Sequence, residues 1–233
     1  MIIFTLLGES NRFLDAGINV PKYLLSFSNK PILKIIIESL SINNSSEREI
    51  FFLCNQKVSR WNKRIKEIFP KAKIIYLPST DGQASSAMIG LQEISALGYN
   101  IENFCLMNGD TVVFCDIEKY FLQLKGHDGL IDCFNSSEDH FSFVKKNEMG
   151  ILTEIAEKKM ISKNATSGLY FFSSYKTYKA GFDLMRASKG EKYISDVYES
   201  LLRQGKSIKI VNNCSHPILL GTPHDYFEAD PIA

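Results

Sequence analysis

Ile2-Ile-Phe-Thr-Leu-Leu-Gly8-Glu-Ser-Asn-Arg12-Phe13 opens the chain with an unbroken apolar run that stops at Gly8 and enters a polar cluster. A continuous run of strand length bounded by turn residues is the pattern of a parallel strand covered on both faces. The segments that follow keep the rhythm. Pro31 to Leu40 carries a helical stripe through Ile32, Ile35, Ile36 and Leu40, with Pro near its start. Ile50 to Cys54 reads as a second buried strand, and Trp61 to Phe69 as an amphipathic helix. Lys73 to Leu77 reads as a third strand, Ala84 to Leu97 as a helix ended by Gly98, and Phe104 to Met107 as a fourth strand. This alternation through about residue 115 predicts an α/β fold with a doubly wound, mostly parallel sheet of Rossmann-like type. The second half is richer in strands: Gly129 to Phe134, Phe141 to Lys145, Ile151 to Glu157 and Gly168 to Phe172. Helices at Tyr175 to Ala187 and Ser195 to Arg203 and a strand at Ser207 to Val211 complete it. With no linker, repeat or low-complexity tract, 1–233 reads as one domain, with halves at 1–115 and 116–233.

Composition narrows the function classes. The 233 residues are 45% hydrophobic and 23% charged, and carry a formal net charge of +1, so no strong field draws nucleic acid or an acidic membrane. The cysteines at 54, 105, 115, 133 and 214 are odd in number and scattered, with no CxxC pair. That spacing suggests neither a disulfide framework nor a zinc site, and a reducing cytoplasm is the expected setting. The opening run lacks a basic flank and meets Glu9, unlike a secretion signal, and no run reaches the ~20 apolar residues of a membrane span. The four histidines (127, 140, 216, 224) fall in polar stretches and are expected at the solvated surface. Trp61 and the run Tyr170-Phe-Phe172 are expected to pack, and Ser41 to Glu49 to form a loop.

Four segments could carry chemistry. The loop after the first strand offers backbone N–H groups at Gly8, and Arg12 and Lys22 add cations, which together suit a polyphosphate or serve a plain solvated connection. Asn108-Gly-Asp110 closes an apolar strand, where a carboxylate can hold Mg²⁺ against nucleotide phosphates or simply make a turn. Asp81-Gly-Gln83 precedes a long helix, and Gln83 can read a base edge or cap that helix. Glu157-Lys158 lies at a strand end, where the pair can bind a hydroxyl and a phosphate or form a surface ion pair.

In this order the four resemble the sugar-phosphate nucleotidyltransferase (pyrophosphorylase) family. The stretches that carry the resemblance are Leu6-Leu-Gly-Glu-Ser-Asn-Arg-Phe13, Val20-Pro-Lys22, Asn29-Lys-Pro31, Asn108-Gly-Asp110 and Glu157-Lys158. Thr166-Ser-Gly-Leu-Tyr170, Gly190-Glu191 with Ile194-Ser-Asp-Val197, and Leu220-Gly-Thr-Pro-His-Asp225 extend it over nearly the whole chain. The overall pattern is most similar to the short branch that accompanies bacterial capsule and surface-glycan genes.

The resemblance implies a nucleotide-diphospho-sugar transferase fold and a Mg²⁺-dependent condensation of an NTP with a phosphorylated acceptor. The acceptor would be a sugar 1-phosphate, or a non-sugar phosphate such as phosphocholine with CTP. CTP, UTP and dTTP are the nucleotides expected. Leu7, Gly8, Glu9 and Ser10 would cradle the triphosphate, with Arg12 on its β/γ end and Lys22 at the α-phosphate. Gly82 and Gln83 would read the base, and Asn108 and Gly109 would line the nucleotide. Asp110 would hold the metal. Glu157, Lys158, Gly168 and Lys192 would bind the acceptor. No nucleic-acid or membrane partner is implied, and a homo-oligomer is compatible. Five positions depart from the pattern: Leu7 replaces the small residue before the first loop glycine, Ser10 a second loop glycine, Asn11 a Ser/Thr, Leu219 a second metal-binding aspartate, and Lys159 a proline. They leave open the alternative of an inactive homologue that binds nucleotide or sugar phosphate and serves regulation or assembly.

Overall fold

The structure is a computed structural model that describes residues 1–8, 10–42, 47–186, 190–212 and 216–229. Glu9, Cys214, Ala187 and the middle of the Ser41 to Glu49 run lie outside them.

The first half comprises β1 (Ile2–Leu6), α1 (Asn11–Asp15), β2 (Ser26–Phe27), β3 (Lys30–Pro31), α2 (Ile32–Ser39), β4 (Ile50–Asn55), α3 (Asn62–Ile68), β5 (Lys73–Leu77), α4 (Gln83–Ala96), β6 (Glu102–Asn108) and β7 (Thr111–Val112). Short 3₁₀ turns at Lys22–Leu24 and Gln56–Trp61 interrupt it. The second half comprises α5 (Ile117–Leu124), β8 (Gly129–Asn135), β9 (Ser142–Lys146), β10 (Leu152–Glu157), β11 (Asn164–Ser174), α6 (Tyr175–Leu184), α7 (Ile194–Arg203), β12 (Ile208–Val211), β13 (Ile218–Leu219) and α8 (Pro223–Ala229).

Nine of the described strands form one mixed sheet. Its parallel part runs β5-β4-β1-β6, with β1 pairing β4 on one side and β6 on the other. The chain therefore winds outward from β1 to β5 and then returns past it to β6, which opens a crevice beyond the carboxyl ends of β1 and β6. The second half joins through β11, which runs antiparallel to β6 and β8. Its register slips between Thr166 and Tyr170, where it pairs with β8. The slip turns Ser167 and Gly168 out of regular pairing beside the crevice.

Residue alternation explains why β1 is apolar on both faces, with Thr5 the half-buried exception whose hydroxyl donates to the Met107 carbonyl at 3.2 Å. Ile2, Phe4 and Leu6 enter a core with α2, α3 and α5, whereas Ile3 enters a second core with α4, α6 and α7. A strand buried on both faces has no position to give to solvent.

The strand and helix expectations hold to within a few residues, with three differences of substance. The expected helix at Trp61 to Phe69 begins as a 3₁₀ turn and becomes α-helical at Asn62. The expected strand at Gly168 to Phe172 reaches back to Asn164, because its earlier residues pair with β8 and β9. The unforeseen α5 carries a clear signal in retrospect: Asp116 caps it, and Ile117, Tyr120, Phe121 and Leu124 form its buried stripe.

Phe172 sits at the join of the halves, fully buried, with ring centroids of Phe104, Tyr178 and Tyr198 at 5.4, 4.8 and 4.6 Å. Removing a buried aromatic costs its transfer free energy plus that of the cavity left. Phe172→Ala is expected to lose about 3–5 kcal/mol in urea unfolding, and a loss below about 1 kcal/mol would show that the halves do not depend on this cluster.

Candidate active site

Three cavities share the crevice and meet at Asn108, Asp110 and Glu191. The first, about 680 Å³, lies between the β1 turn and the loop before α4, and is lined by Leu7, Gly8, Lys22, Gly82, Gln83, Asn108, Gly109 and Asp110 among others. The second, about 590 Å³, is lined by Ser10, Arg12, Lys22, Asp110, Lys158 and Asp225 among others. The third, about 410 Å³, is lined by Asp110, Glu157, Lys158, Gly168, Tyr193 and a set of hydroxyls. Arg12, Lys22 and Asp110, which lie far apart in the sequence, thus border one cavity.

Backbone geometry sets these positions. Lys22 opens the 3₁₀ turn after Pro21, which fixes the approach of its side chain to β6. Asp110 follows β6 directly, and its carbonyl accepts from the Leu220 amide at 2.8 Å, tying the acidic corner to β13. Ser10 takes the left-handed conformation at φ 57°, where a residue with a Cβ is disfavoured, and its carbonyl accepts from the amides of Phe13 and Leu14 to start α1.

Lys22 Nζ lies 2.5 Å from Asp110 Oδ2, with the side chains 18% and 22% exposed, so water screens this pair only partly. Thr111 Oγ1 donates to Asp110 Oδ1 at 3.3 Å. Burial would push the Asp110 carboxyl up, but the Lys22 charge and hydrogen bonds to Lys22 and Thr111 overrule it and hold the group below its ordinary range.

Gln83 is the first residue of α4. Its amide nitrogen donates to Thr5 Oγ1 at 2.8 Å and to Asn108 Oδ1, which fixes the side chain across the ends of β1 and β6. Gly82 precedes it at φ 142°, and a Cβ there would fall 2.4 Å from the Lys192 carbonyl oxygen, so this close approach requires glycine.

In the third cavity Glu157 Oε2 accepts from Ser142 Oγ and, at 2.7 Å, from Ser195 Oγ. Lys158 holds φ 48° and donates from Nζ to the Tyr193 hydroxyl at 2.8 Å, a contact that raises the Lys158 pKa. The Tyr193 hydroxyl in turn donates to Glu191. Ser167 Oγ donates at 2.6 Å to Asp132, a fully buried carboxylate that also accepts from Tyr120 at 2.9 Å. Gly168, at φ 89°, lies against the Asn108 side-chain amide.

One expectation needs correction. Lys192 does not border the third cavity, where Glu157 and Lys158 lie; its ammonium lies 2.9 Å from Asp81 Oδ2, on the side of the loop before α4. His140 is exposed as expected, and it also borders the second and third cavities, its ring 4.1 Å from that of Phe141. His216 also packs, edge to face, on Phe134 at 5.0 Å. Glu191, Tyr193, Ser142, Ser195, Ser167 and Asp225 line the cavities without having been singled out as site residues. Their elements were legible, but serines and a tyrosine at element ends carry no motif of their own. Among the described residues no group of three or more His, Cys, Asp or Glu is placed to hold a metal ion, and no helix is long and apolar enough to cross a membrane.

The chain matches the family model described as nucleotidyl transferase over residues 7–232. It is 25% identical over 232 residues to the bifunctional protein GlmU of Methanocaldococcus jannaschii, across 96% of this chain and 52% of that protein. It is 25% identical over 175 residues to the mannose-1-phosphate guanylyltransferase catalytic subunit beta of Drosophila melanogaster, across 71% of this chain and 46% of that one. The chain thus spans about half the length of the curated relatives it matches. Among solved structures, the nucleoside-diphosphate-sugar pyrophosphorylase from Vibrio cholerae superposes with a TM-score of 0.81 at 24% identity, covering 98% of this chain and 99% of that one. A UDP-glucose pyrophosphorylase complexed with UDP-glucose superposes with a TM-score of 0.77 at 16% identity, covering 98% and 95%. These structural likenesses establish the nucleotide-diphospho-sugar transferase fold. Since the family model spans nearly the whole chain, this protein belongs to the nucleotidyl transferase family.

Proposed function

We propose that this protein transfers a nucleoside monophosphate from an NTP to a phosphorylated small molecule, releasing pyrophosphate. The observation that carries the reading is the convergence of Arg12, Lys22 and Asp110 on one cavity between the base-side loop and the acceptor-side pair Glu157-Lys158. A sugar 1-phosphate is the favoured acceptor, since the relatives named above act in sugar-nucleotide chemistry and the acceptor cavity is rich in hydroxyl and carboxylate groups suited to a polyol. The product would serve a step that consumes an activated sugar, such as surface-glycan assembly in the cytoplasm.

An acceptor phosphate is already an anion, so the chain need not supply a nucleophile. The acceptor oxygen forms a bond to the α-phosphorus while the bond from that phosphorus to the bridging oxygen breaks, and pyrophosphate leaves with the electron pair. The residues contribute positioning and charge. Gly8 and its neighbours in the β1 turn present backbone to the phosphates, Arg12 holds the β/γ end, and Lys22 neutralises charge that builds at the α-phosphate. Gln83 and Gly82 face the base. Glu157 accepts hydrogen bonds from acceptor hydroxyls, and Lys158 holds its phosphate.

Mg²⁺ fits this donor set, because the ion takes one or two carboxylates and completes its shell with phosphate oxygens and water. Asp110 is the carboxylate that would hold it, and Leu219 supplies no second one. When bound, Mg²⁺ offsets phosphate charge.

Pyrophosphate release and melting temperature are the direct tests, run with ATP, GTP, CTP, UTP and dTTP against glucose 1-phosphate, mannose 1-phosphate, N-acetylglucosamine 1-phosphate and phosphocholine. At least one nucleotide is expected to raise the melting temperature and, with one acceptor, to give turnover. Binding with no turnover for any pair would favour the inactive homologue. Lys22→Ala is expected to lower kcat/KM more than about tenfold, on the order of 2–4 kcal/mol of transition-state stabilisation, with the fold intact. Unchanged turnover removes Lys22 from the assignment.

The charge balance at Asp110 has a readable pH signature. Its depressed pKa contributes stability above the unfolded value, about 3.9, and that contribution is lost as pH falls through the folded pKa. In Lys22→Ala the charge and hydrogen bond that outweigh burial together are gone, so the Asp110 carboxyl titration followed by NMR should move up. A carboxyl that titrates alike in both proteins would show that the pair does not govern it.

A further inference from the structure

Residues 57–73, which lead from β4 to β5, carry seven lysines and arginines against a single acid, Glu67, a net charge of +6. The whole chain is +1, so the remaining residues sum to −5. Near neutrality therefore conceals one strongly basic face at the end of the sheet where β5 is the last strand. Lys57, Arg60, Lys63, Arg64, Lys66 and Lys71 are exposed, whereas Ile65, Ile68 and Phe69 turn into the core. The helical period makes that division, with the apolar stripe on one side and the cations on the other. Lys73 is paired with Glu49. Among the described residues no carboxylate pairs with Arg60, Lys63 or Arg64. Like charges three and four positions apart on a helix repel one another, so this arrangement costs the folded chain a little, and a polyanion laid on the face removes the cost. No residue of the segment lines the three crevice cavities, so these cations do not serve the nucleotide site.

We infer that this face docks the protein on anionic lipid headgroups, by charge alone and without insertion. Two features select that partner. The apolar stripe of α3 is committed to the core, with Ile65 fully buried and Ile68 8% exposed, so the helix has no apolar side left to enter hydrocarbon and engages headgroups only. Trp61 is half-buried, and the guanidinium groups of Arg60 and Arg64 lie over its ring at 5.6 and 5.4 Å. Its face is therefore occupied by cations and is not an open platform on which a nucleobase could stack. What the segment offers instead is a spread of projecting charges, which suits the diffuse negative field of a lipid surface. The same field repels the acidic remainder of the chain, so the molecule approaches with this face forward. Docking uses no residue of the crevice and is independent of the nucleotidyl-transfer reading.

The test is cosedimentation of the full chain with vesicles of phosphatidylcholine alone or with about one third phosphatidylglycerol. At about 0.05 M salt, partition onto the anionic vesicles is expected to exceed that onto the neutral ones by at least about tenfold. It should fall by about tenfold at about 0.5 M, where the Debye length shrinks to about 4 Å. Each cation near such a surface contributes severalfold, so Lys63→Glu/Arg64→Glu is expected to lose more than about tenfold. Lys63→Arg/Arg64→Lys keeps both charges and should lose less than about twofold. Melting temperatures show which variants fold; if the reversal does not, Lys63→Gln/Arg64→Gln is read in its place, with an expected loss of at least about fivefold. Equal partition onto both kinds of vesicle overturns the inference, as does no binding to either, a reversal variant that binds like the unmodified chain, or a loss common to the reversed and charge-keeping variants. Single-stranded and duplex DNA oligonucleotides are then titrated against the vesicle-bound chain at matched phosphate concentration. Residence on the vesicles supports the lipid surface, whereas release with the oligonucleotide assigns the face to nucleic acid and overturns it.

Discussion

β1 lies between two parallel neighbours that the chain reaches by opposite routes, and everything functional follows from that constraint. Winding from β1 through β4 to β5 and back to β6 sets the carboxyl ends of β1 and β6 side by side at the crevice. The segments leaving those ends, Leu7 to Lys22 with its short α1 and Asn108 to Asp110, meet there. The sheet thereby aligns Lys22 and Asp110 at 2.5 Å, although 88 positions separate them in the chain. Neither loop could do this alone. A shift of one residue in the pairing of β1 with β6 would reverse the faces of every side chain on the strand.

Within the main sheet the second half joins that frame through β11, and a separate short pair, β7 with β13, ties the halves at the acidic corner. β11 pairs with β6 at one edge and β8 at the other, and its register slip sits where Ser167 and Gly168 meet the crevice. The irregularity is therefore placed at the join of nucleotide and acceptor sides. Behind it, Asp132 has no exposure and holds Ser167 from below while Tyr120 occupies its other oxygen. A buried carboxylate is tolerated only when its oxygens are satisfied, so this pairing fixes the serine that borders the cavity. The local architecture trades regular pairing for a rigid hydroxyl.

The fold was legible in the sequence because burial on two faces leaves a strong pattern. Ile2 to Leu6 could be read as a central strand from composition alone, as could Ile50 to Cys54. The stripe of α5 was equally strong but sat after the Asn108-Gly-Asp110 turn, where a change from α/β rhythm to paired strands drew the eye away. For the site, residues embedded in a motif could be named: Arg12, Lys22, Gln83, Asp110, Glu157 and Lys158 all border the cavities. Those defined by long-range packing could not. His140, exposed beside the crevice, borders two cavities, while Lys192 pairs with Asp81 on the other side of the loop before α4. Distance along the chain carries no information about which of two adjacent side chains, Glu191 or Lys192, will face a cavity; the strand and loop opposite decide.

Charge placement shows how a nearly neutral chain could serve the anionic substrate proposed for it. The net charge of +1 provides no general attraction, so attraction must be local, and it is. Arg12 and Lys22 border the second cavity together with Lys158, and both lysines are held in place, Lys22 by a carboxylate and Lys158 by a hydroxyl. Lys22 is held by Asp110, and Lys158 by a tyrosine whose hydroxyl is itself committed to Glu191. A cation so restrained loses less conformational freedom when a phosphate arrives than a free lysine does. The accompanying carboxylates keep the crevice from becoming a non-specific anion trap, because phosphate is favoured only where it can approach the ammonium without facing the carboxylate. On the reading proposed above, selectivity for a phosphorylated acceptor would rest on Glu157 and Lys158, one suited to a hydroxyl and the other to a phosphate.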